Sequence, residues 1–404
     1  MKILQILPRF PWPIKDGGAL AFYAHLQGLN DNQHQVVSAV LNTSKHHVDW
    51  ETLPEKVKKL SNFHLFEIDN AITVKGAVLN LFKKESYILS RFYVKEFEGV
   101  LGGLIQTFAP DLVIFESLQT ARYLPFVRNQ TKAICLLRSH NIEFNIWQEQ
   151  AKIEKKVLKA TYVKNQAAKL KKEELALSAK FDGILAITKA DALHYSALNI
   201  KVPTLYYPVG FYPRNTEMLP FKHKAKVFHL GSMDWMPNQA AVLYFLEKIW
   251  PLVQTEKKEL CFEIAGRNMP ESFLKLNQKG VKVVGEVENS DLYMQENGIL
   301  VIPLLSGSGM RVKVMEGMAL GKCIISSSKG MEGIEAIAGK HYILANSPEE
   351  FKNAILFYTT NLLEADKIGE EARKFALTAF QNQQIVAQLE GFVAELKKKR
   401  DGLD

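Results

Sequence analysis

The sequence predicts an α/β protein of two domains, each with a parallel β-sheet that is covered by helices on both faces. Three observations predict this class. At 404 residues, the chain is too long for a single hydrophobic core. Short apolar runs alternate with helical patterns throughout the chain. The alternation is interrupted at residues 206–213, where Pro208, Gly210 and Pro213 favour a linker.

The first half of the chain has strand candidates at Lys2–Leu7, Val36–Leu41, His64–Ile68, Asp111–Phe115, Ala133–Leu137, Gly183–Ile187 and Thr204–Tyr207. Each is a nearly continuous apolar run, which is typical of a strand that is buried on both faces. Helical patterns lie between these strands at Ala19–Leu29, at Val94–Phe108 and, in a long segment rich in Lys and Glu, at Glu143–Ala179.

The second half repeats the pattern, with strands predicted at Val227–Leu230, Leu260–Ala265, Val281–Val284, Ile299–Leu304, Cys323–Ser326 and Tyr342–Leu344. A helix is predicted over Met310–Leu320 with Gly321 as its C-cap, and a last helix over Gln384–Leu396. We therefore expect a first Rossmann-like domain in residues 1–207, a second in residues 208–380, and a C-terminal helix in residues 381–404.

The composition is that of an ordinary globular protein, with 47% hydrophobic and 23% charged residues. No uninterrupted apolar stretch of about 18 residues occurs, so a membrane span is not predicted. Met1–Leu7 is typical of a first strand rather than of a signal peptide. Cys135, Cys261 and Cys323 are expected to be buried, reduced thiols, and no CxxC or HxxxH spacing indicates a metal site. These features predict a cytoplasmic protein.

The net charge of +8 lies almost entirely in the first half of the chain. Residues 1–200 carry 26 Lys and Arg against 19 Asp and Glu, whereas residues 201–404 carry 25 against 24. Much of the excess lies in Lys75–Lys95 and Lys152–Lys180. Two interpretations stay open: a solvated face of long helices, or a surface for an acidic acceptor or for the anionic inner face of the cytoplasmic membrane. Nucleic acid is not an expected partner, because no recognition motif accompanies the charge.

The strongest functional signal is LLSGSGMRVKVMEGMALG at residues 304–321. A predicted buried strand ends here, a turn of small residues follows, and a helix begins. The N–H groups at such a helix start bind anions, and Arg311 and Lys313 add positive charge. This arrangement suits a diphosphate, and Glu316 is placed one turn later to accept hydrogen bonds from a ribose. The alternative is a surface helix with a Lys313–Glu316 ion pair.

The stretch GSGMRVKVMEGMALGKCIIS at residues 307–326 resembles the signature of glycosyltransferase family 4, retaining enzymes of the GT-B fold that are also called glycosyl transferases group 1. Further family segments are similar, in order, to KDGGALAFYAHL at 15–26, RSHNIEFNIW at 138–147, HLGSMDWMPNQAAVLYFLEKIWPLV at 229–253, FEIAGRN at 262–268 and VVGEVENSDLYMQENGILVIPL at 283–304. The resemblance covers nearly the whole chain. It implies two Rossmann-like domains that face each other across a deep cleft, with the C-terminal helix returning to the first domain.

By this resemblance, the first domain binds the acceptor and the second binds the nucleotide-sugar donor. Glu316 matches the glutamate that holds the ribose, and Arg311 and Lys313 match positions at the donor phosphates. His140 is similar to a histidine that contacts the transferred sugar. Many relatives carry another glutamate eight positions before the ribose-binding one, where this chain has Ser308, so the identity of the donor sugar is not carried over.

The motifs and the resemblance together predict a site in which the catalytic residues are His140, Arg311 and Lys313. The expected substrate-binding residues are Gly17, Gly18, Arg138, Asn141, Gly231, Arg267, Val287, Ser306, Gly307, Ser308, Gly309, Met310 and Glu316. His140 and Arg267 each follow a predicted strand at its carboxyl end, where ligands bind in such sheets. For His140 the alternative is a hydrogen-bonded packing residue, and for Glu143 it is a carboxylate in the first turn of a helix.

Several classes of enzyme lack their motifs in this chain. The loop after the first strand has no GxGxxG, which disfavours a nicotinamide dehydrogenase, and GxxxxGK[ST] is absent. No convincing carboxylate pair for a retaining glycosidase is evident. We expect transfer of a sugar from a UDP- or GDP-sugar to a glycan or lipid-linked acceptor in the synthesis of cell-surface polysaccharide or lipopolysaccharide. The resemblance implies no cofactor and no metal. A sugar-nucleotide epimerase of the same fold and a non-catalytic nucleotide-sugar-binding protein stay as alternatives.

Overall fold

The computed structural model describes residues 1–14, 16–154, 156–198, 200–210, 225–307 and 310–402. The chain forms two compact units. Unit 1 is Met1–Gly210 together with Asn382–Asp404, and unit 2 is Phe211–Gln381. Each unit has a parallel sheet with helices packed around it, which confirms the predicted α/β class of two Rossmann-like domains.

The sheet of unit 1 contains, over the described residues, the strands β1 Lys2–Leu7, β2 Gln35–Thr43, β3 Asn62–Ile68, β4 Leu112–Glu116, β5 Ile134–Ser139, β6 Gly183–Ala186 and β7 Thr204–Tyr206. Neighbouring strands are parallel, in the order β3-β2-β1-β4-β5-β6-β7. The order of the strands reverses between β1 and β4. In an open α/β sheet, ligands bind beyond the carboxyl ends of the strands at such a reversal.

The helices of unit 1 before the linker are α1 Gly17–Asp31, α2 Glu55–Lys58, α3 Val74–Leu81, α4 Tyr87–Ser90, α5 Glu96–Phe108, α6 Leu124–Gln130, α7 Glu143–Ile153, α8 Val157–Ser178 and α9 Lys189–Ala197. Short 3-10 segments lie at Ser44–His46, Trp50–Thr52 and Leu118–Tyr123. The single long helix predicted at Glu143–Ala179 is wrong, since the chain reverses between α7 and α8. The carboxylate of Glu174 in α8 accepts hydrogen bonds from the first N–H groups of α7, Glu143 N at 3.1 Å and Phe144 N at 2.9 Å.

The described part of unit 2 contains the strands β8 Val227–Leu230, β9 Phe262–Ala265, β10 Val281–Gly285, β11 Ile299–Ile302, β12 Ile324–Ser326 and β13 Ile343–Leu344. They form a parallel sheet of order β10-β9-β8-β11-β12-β13. Its helices are α10 Met236–Tyr244, α11 Trp250–Glu256, α12 Glu271–Leu274, α13 Ser290–Glu296, α14 Val312–Ala319, α15 Pro348–Thr360 and α16 Leu362–Ala379, and the π-type segment Phe245–Ile249 joins α10 to α11.

Helix α14 is shorter than the predicted Met310–Leu320. It begins at Val312, and Arg311 is its N-cap residue. At the other end Leu320 is the C-cap, and Gly321 follows it with a φ of 68°. Gly321 is the residue that ends the helix, because glycine adopts this left-handed conformation without a steric penalty.

The last helix, α17 Asn382–Arg400, belongs to unit 1. It contributes Ile385, Val386, Leu389, Val393 and Leu396 to a core that also contains Ile3 and Leu7 of β1. Asn382 is buried at the start of the helix, where its Nδ2 donates to the carbonyl oxygen of Ala24 at 2.5 Å. The helix thus completes one face of the unit 1 sheet.

The thiols of Cys135 and Cys323 are buried, as predicted, whereas Cys261 is partly exposed. Among the helices of the described residues, none combines the length and the apolar character that a membrane crossing requires.

The contact of Asn382 with α1 gives a prediction for stability. We expect Asn382→Ala to lower the free energy of unfolding by about 1–3 kcal/mol, because the buried Ala24 carbonyl loses its donor. Urea unfolding followed by circular dichroism measures this change. Gln384→Ala, an exposed position on the same helix, is the control and should have little effect. Equal effects of the two substitutions would show that the hydrogen bond does not secure α17.

Candidate functional site

The unit 1 sheet carries polar side chains at its carboxyl edge, on the face that α1 and α17 cover. Gln5 alternates with Ile3 and Leu7 along β1, so the three side chains point to one face. Glu116 ends β4 and pairs in register with Arg138 of β5. Leu112 and Ile114 precede Glu116, and Ile134 and Leu136 precede Arg138, at two-residue spacing in the same core. The apolar rows of β4 and β5 therefore end in buried polar groups, and Gln5 interrupts the row of β1.

The carboxylate of Glu116 is the centre of this group and is fully buried. Oε1 accepts from Gln5 Nε2 at 3.0 Å and from His25 Nδ1 at 2.6 Å. Oε2 accepts from Arg138 Nη1 at 3.1 Å and from His140 Nε2 at 3.1 Å. We call Gln5, His25, Glu116, Arg138 and His140 the Glu116 cluster. Five residues from separate parts of the chain meet there around one charge.

The pKa values in the Glu116 cluster follow from burial and from the balance of charge. Burial alone would raise the pKa of Glu116, but Arg138, His25 and His140 hold it well below its ordinary value. Burial, assisted by the charge of Arg138, lowers the pKa of His25 to about 4. Burial likewise lowers the pKa of His140, although the hydrogen bond that His140 donates to Glu116 opposes this. The cluster therefore holds an ionised carboxylate, a guanidinium and two neutral imidazoles at neutral pH.

The contact with Glu116 selects the tautomer of His140. A carboxylate accepts hydrogen bonds, so Nε2 of His140 carries the proton and Nδ1 is left as an acceptor in the neutral ring. The ring of Phe22 packs against His140 with centroids 4.9 Å apart. The imidazole is thus fixed in orientation, with Nδ1 as its hydrogen-bond acceptor.

The glycine pair of unit 1 lies at the start of α1, close to His140. Asp16 is the N-cap residue, and its side chain accepts from Ala19 N at 3.0 Å. Arg9 forms an ion pair with Asp16, with Nη1 2.9 Å from Oδ2. A Cβ on Gly18 would lie 2.6 Å from Arg9 Nη2, so glycine permits this approach. Arg9 is also close enough to His140 to lower its pKa. Gly17, Gly18, Arg9 and His140 therefore share the carboxyl edge of the sheet.

Arg138, which we expect to bind substrate, lies inside unit 1. Its side chain is 1% exposed, and its Nη1 donates to Glu116 at 3.1 Å and to the Ala21 carbonyl at 3.2 Å. In this structure its charge lies against that of Glu116. Asn141 is partly exposed, beside the Ser139 hydroxyl that donates to its carbonyl at 3.0 Å. Burial raises the pKa of the neighbouring Glu143 to about 7.

In unit 2, Arg311 lies in a mainly buried position after β11. Its guanidinium carbon is 5.0 Å from the ring centroid of Trp235, and Nη2 is 3.7 Å from a carboxylate oxygen of Glu332. Burial lowers the pKa of Arg311 to about 10, so the side chain remains charged at neutral pH. A Cβ on Gly307 would lie 2.7 Å from the Trp235 ring and 3.2 Å from Arg311 Nη2, and Gly307 has a φ of 108°. A glycine is needed there for the stacked pair to form.

Lys313 and Glu316 form an ion pair within the first part of α14. Lys313 Nζ lies 2.6 Å from Glu316 Oε2 and 3.1 Å from the Ser290 hydroxyl of α13. Glu316 is 3% exposed, whereas the Lys313 side chain is 37% exposed. Arg311 and Lys313 thus contact different groups, and each has a carboxylate partner. The pair that we considered as an alternative is present, and it brings Lys313 and Glu316 together at one end of the helix.

The turns after β8 and β9 approach each other closely at Gly231 and Gly266. A Cβ on Gly266 would clash with the Gly231 carbonyl oxygen, and one on Gly231 would lie 2.6 Å from Asn238 Nδ2. Arg267 is held above these turns, where its Nε donates to the Ser232 hydroxyl at 2.8 Å. Glycine at both positions therefore allows the two turns to lie in contact, with Arg267 beside them.

The remaining predicted residues of unit 2 have fewer described contacts. Val287 follows β10 and is partly buried, Ser306 is exposed, and Met310 is partly buried. Ser308 and Gly309 lie outside the described residues.

Sequence reasoning missed Glu116, His25, Gln5 and Arg9. Glu116 had a signal, because it directly follows the apolar run Leu112–Phe115 and a carboxylate at that point of a buried strand is unusual. His25 and Gln5 had none that could be recognised in one sequence, since each lies in an apolar pattern and acquires its role only through contacts with distant residues.

The fold and a family match define the class of protein. Residues 224–361, which lie in unit 2, match the family model described as Glycosyl transferases group 1. The whole chain superimposes on enzymes of the GT-B fold, which is therefore the fold of this chain. The match in unit 2 and this fold make the protein a transferase of the glycosyltransferase class.

Individual relatives are distant. An uncharacterized 44.6 kDa protein in the cps region of Klebsiella pneumoniae is 23% identical over 96% of this chain and 98% of its own length. Sucrose-phosphate synthase from Thermosynechococcus elongatus aligns with a TM-score of 0.69 at 12% identity, over 99% of this chain and 100% of that one. TarM aligns with a TM-score of 0.70 at 10% identity, over 97% of this chain and 99% of the TarM chain. HepE from Anabaena, in complex with UDP, aligns with a TM-score of 0.64 at 12% identity, over 98% of this chain and 100% of the HepE chain.

The lowered pKa of His25 predicts that stability depends on pH. Unfolded chains bind a proton at His25 below about pH 6.5, whereas the folded protein does so only near pH 4. The free energy of unfolding should therefore fall as the pH falls through this window, by about 1.4 kcal/mol per pH unit from this group. Urea unfolding at about pH 7 and about pH 5 measures the difference.

The variant His25→Asn keeps a donor near Glu116 and cannot titrate, so its stability should change less between the two pH values. His47→Asn, at an exposed histidine, is the matched control and should retain the wild-type dependence. If His25→Asn were as sensitive to pH as the wild type, the titration would belong to another group.

The buried pair of Glu116 and Arg138 predicts a non-additive effect on stability. Glu116→Gln should destabilise the protein by about 3–5 kcal/mol, because it leaves the Arg138 charge uncompensated in the core. The double variant Glu116→Gln/Arg138→Met should recover part of this loss, since both charges are removed. Urea unfolding of the two single variants and the double variant tests this. If the double variant were less stable than the wild type by the sum of the two single losses, the coupling would be contradicted.

Proposed function

We propose that the protein is a retaining glycosyltransferase of family 4, which moves a sugar from a nucleotide-diphosphate sugar to a glycan or lipid-linked acceptor. In this proposal, unit 2 binds the donor and unit 1 binds the acceptor. The observation that carries it is the combination at the start of α14, where Arg311, Lys313 and Glu316 lie in the segment that follows the carboxyl end of β11. Cations and N–H groups there suit a diphosphate, and the carboxylate suits a ribose.

The diphosphate is the leaving group, so negative charge grows on it as the bond to the sugar C1 breaks. Arg311 is largely desolvated against Trp235, and a charge in such surroundings interacts more strongly with an anion than it would in water. Lys313 is more exposed and adjusts its position more easily. Fixed cations of this kind stabilise the transition state more than the ground state, which is the requirement for catalysis.

The Lys313–Glu316 pair gives both side chains a role in the free protein and in the donor complex. An ionised carboxylate offers about four acceptor directions, so Glu316 can accept from Lys313 and from ribose hydroxyls together. When a phosphate approaches, the ammonium of Lys313 is already held 3.1 Å from Ser290 near the helix start. We propose that nucleotide binding exchanges some of these contacts for phosphate and ribose contacts.

In the transfer step, the acceptor oxygen forms a bond to C1 on the face that the diphosphate leaves, and a donor phosphate oxygen takes the acceptor proton. The neutral His140, with Nδ1 as acceptor, would hold a sugar hydroxyl near C1. Glu116 fixes the tautomer of His140 and is therefore a positioning residue. The charge that some transferases obtain from a metal ion would come here from Arg311 and Lys313, without a cofactor.

The relatives are compatible with this proposal. HepE was crystallised with UDP, with UDP and glucose, and with UDP-glucose, and a TarM variant was crystallised with UDP and α-GlcNAc-glycerol. The Klebsiella relative lies in a cps region, which favours a role in cell-surface polysaccharide synthesis. We propose that the protein works in the cytoplasm, at the inner face of the membrane where lipid-linked acceptors are found.

The donor site predicts the effect of removing its cations. Arg311→Ala and Lys313→Ala should each weaken the binding of UDP or GDP by about 1–3 kcal/mol, the range of a charge-assisted hydrogen bond. Isothermal titration calorimetry measures this, after a thermal-shift panel of UDP, GDP, ADP and their sugars has identified the base. Lys258→Ala, at an exposed lysine of unit 2, should bind the nucleotide as the wild type does.

Unchanged affinity in both alanine variants would refute the donor site. Slow hydrolysis of the donor sugar that is abolished by Glu316→Ala separates an enzyme from a protein that only binds the nucleotide. Incubation with a UDP-sugar alone separates a transferase from an epimerase, because an epimerase converts the sugar without an acceptor.

A further inference from the structure

Helix α3 of unit 1 presents its apolar side to the outside of the protein. Val74 is 82% exposed, Val78 is 51% exposed and Phe82, the C-cap residue, is 88% exposed. These residues are spaced by four and therefore lie along one side of the helix. A helix on the surface of a globular protein normally turns its apolar side to the core. Helix α3 does the opposite.

The other side of α3 is fixed to unit 1 by polar contacts. Asn80 is 2% exposed, and its Oδ1 accepts from Gln166 Nε2 of α8 at 2.9 Å. Lys169 Nζ donates to the carbonyl oxygens of Asn80 at 2.7 Å and of Leu81 at 3.2 Å. A Cβ on Gly76 would clash with the hydroxyl of Tyr87, so a glycine allows the helix to lie close to α4. The outward orientation of the apolar side is thus built into the fold.

The start of α8 extends the same apolar surface. Val157 is 78% exposed and Leu158 is 89% exposed. Leu158 precedes Tyr162 by four residues and lies on the same side of α8. Burial and the nearby Tyr87 raise the pKa of Tyr162. The backbone N–H of Tyr87 donates to Gln166 Oε1 of α8 at 2.8 Å, and the Tyr87 hydroxyl is 3.3 Å from the backbone nitrogen of Thr73, the N-cap of α3. Helix α3 and the first half of α8 are therefore neighbours on the surface of unit 1.

The charge around this surface is mainly positive. Residues 72–84 contain three lysines and residues 156–172 contain six, of which Lys169 donates to the end of α3 and Lys159 pairs with Glu154 at 2.6 Å. Glu85, which follows Lys84, pairs with Arg122. A second copy of the chain on this surface would bring like charges together, which disfavours a dimer. An anionic bilayer instead offers phosphate groups to the lysines and a hydrocarbon layer to the apolar side chains. Exposed Phe, Leu and Val beside lysine are characteristic of helices that lie in a membrane interface.

We propose that an anionic phospholipid bilayer binds unit 1 at the α3 surface, which consists of Ile72, Val74, Val78, Leu79, Leu81, Phe82, Val157 and Leu158. The side chains insert between the headgroups, and the neighbouring lysines contact lipid phosphates. The purpose of this membrane binding rests on the proposed function, because the binding would bring the acceptor-binding unit to a lipid-linked glycan. The binding itself requires no donor and no catalysis.

The test is co-sedimentation of the full chain with vesicles of phosphatidylcholine alone and with vesicles of equal parts phosphatidylcholine and phosphatidylglycerol. The wild type should bind the mixed vesicles, bind less in high salt, and remain in solution with phosphatidylcholine alone. Val78→Ser/Phe82→Ser should weaken binding by about tenfold or more, because two exposed apolar side chains are lost. Lys83→Glu/Lys84→Glu should weaken it by a similar factor.

Matched controls lie in unit 2. Leu363→Ser, at a leucine that is 78% exposed, and Lys248→Glu/Lys258→Glu, at exposed lysines, should bind vesicles as the wild type does. The substituted side chains are solvent-exposed, so the variants should fold, and circular dichroism verifies this. Calorimetry with UDP or GDP on the same samples distinguishes the membrane proposal from the donor-site proposal. A variant that loses vesicle binding but keeps the wild-type nucleotide affinity affects the α3 surface alone.

The proposal is overturned if the wild type remains in solution with mixed vesicles, if it binds neutral vesicles equally well, or if the serine variant binds like the wild type. Light scattering supplies one more outcome against it. A wild-type dimer that becomes monomeric on Val78→Ser/Phe82→Ser would show that a second copy covers the surface.

Discussion

The carboxylate of Glu116 is fully buried at the end of a central strand, and its negative charge must be compensated inside unit 1. The compensation comes from β1, α1, β5 and the residue after β5, through Gln5, His25, Arg138 and His140. A charge without these partners would be expensive in a low-dielectric core. The same contacts that stabilise the carboxylate also fix the imidazole of His140. Stability and the orientation of a candidate catalytic group therefore depend on one ion.

In unit 2 the charge that requires compensation is positive, because two cations lie where a helix N-terminus already repels positive charge. The fold balances them locally: Glu332 and the Trp235 ring lie against Arg311, and Glu316 lies against Lys313. A diphosphate bound as we propose would compete with these internal partners, so its affinity would reflect the difference between two sets of contacts. In the free protein the two carboxylates balance the two cations.

The sheets were the most predictable part of the structure. Strands such as Ile299–Ile302 are continuous apolar runs, and parallel strands buried on both faces leave that pattern in a sequence. The ends of helices were less predictable, since Arg311 becomes an N-cap and the long segment after Glu143 divides into two helices. That reversal depends on Glu174, which bonds to the start of α7 from a distance of about thirty residues, too far for any local pattern to reveal.

Parts of the candidate site that come from one short segment of the chain could be predicted from the sequence. Parts that depend on packing between distant segments could not. Arg311, Lys313 and Glu316 lie within one turn and a half of helix, so their pattern is visible in the sequence. Arg138 had the residue type and position of a ligand-binding group, yet its guanidinium is turned inward to Glu116. Burial of that kind is decided by which strands are neighbours, a property of the whole sheet.

The position of α17 has a consequence for how the protein is made on the ribosome. The apolar residues Ile385, Val386, Leu389, Val393 and Leu396 belong to the core that contains β1, so unit 1 is built from segments on both sides of unit 2 in the chain. Unit 2, which is contiguous in the chain, can reach its native contacts while α17 is still within the exit tunnel. Part of one sheet face of unit 1 stays uncovered until α17 emerges, and exposed apolar surface of that kind is prone to aggregate.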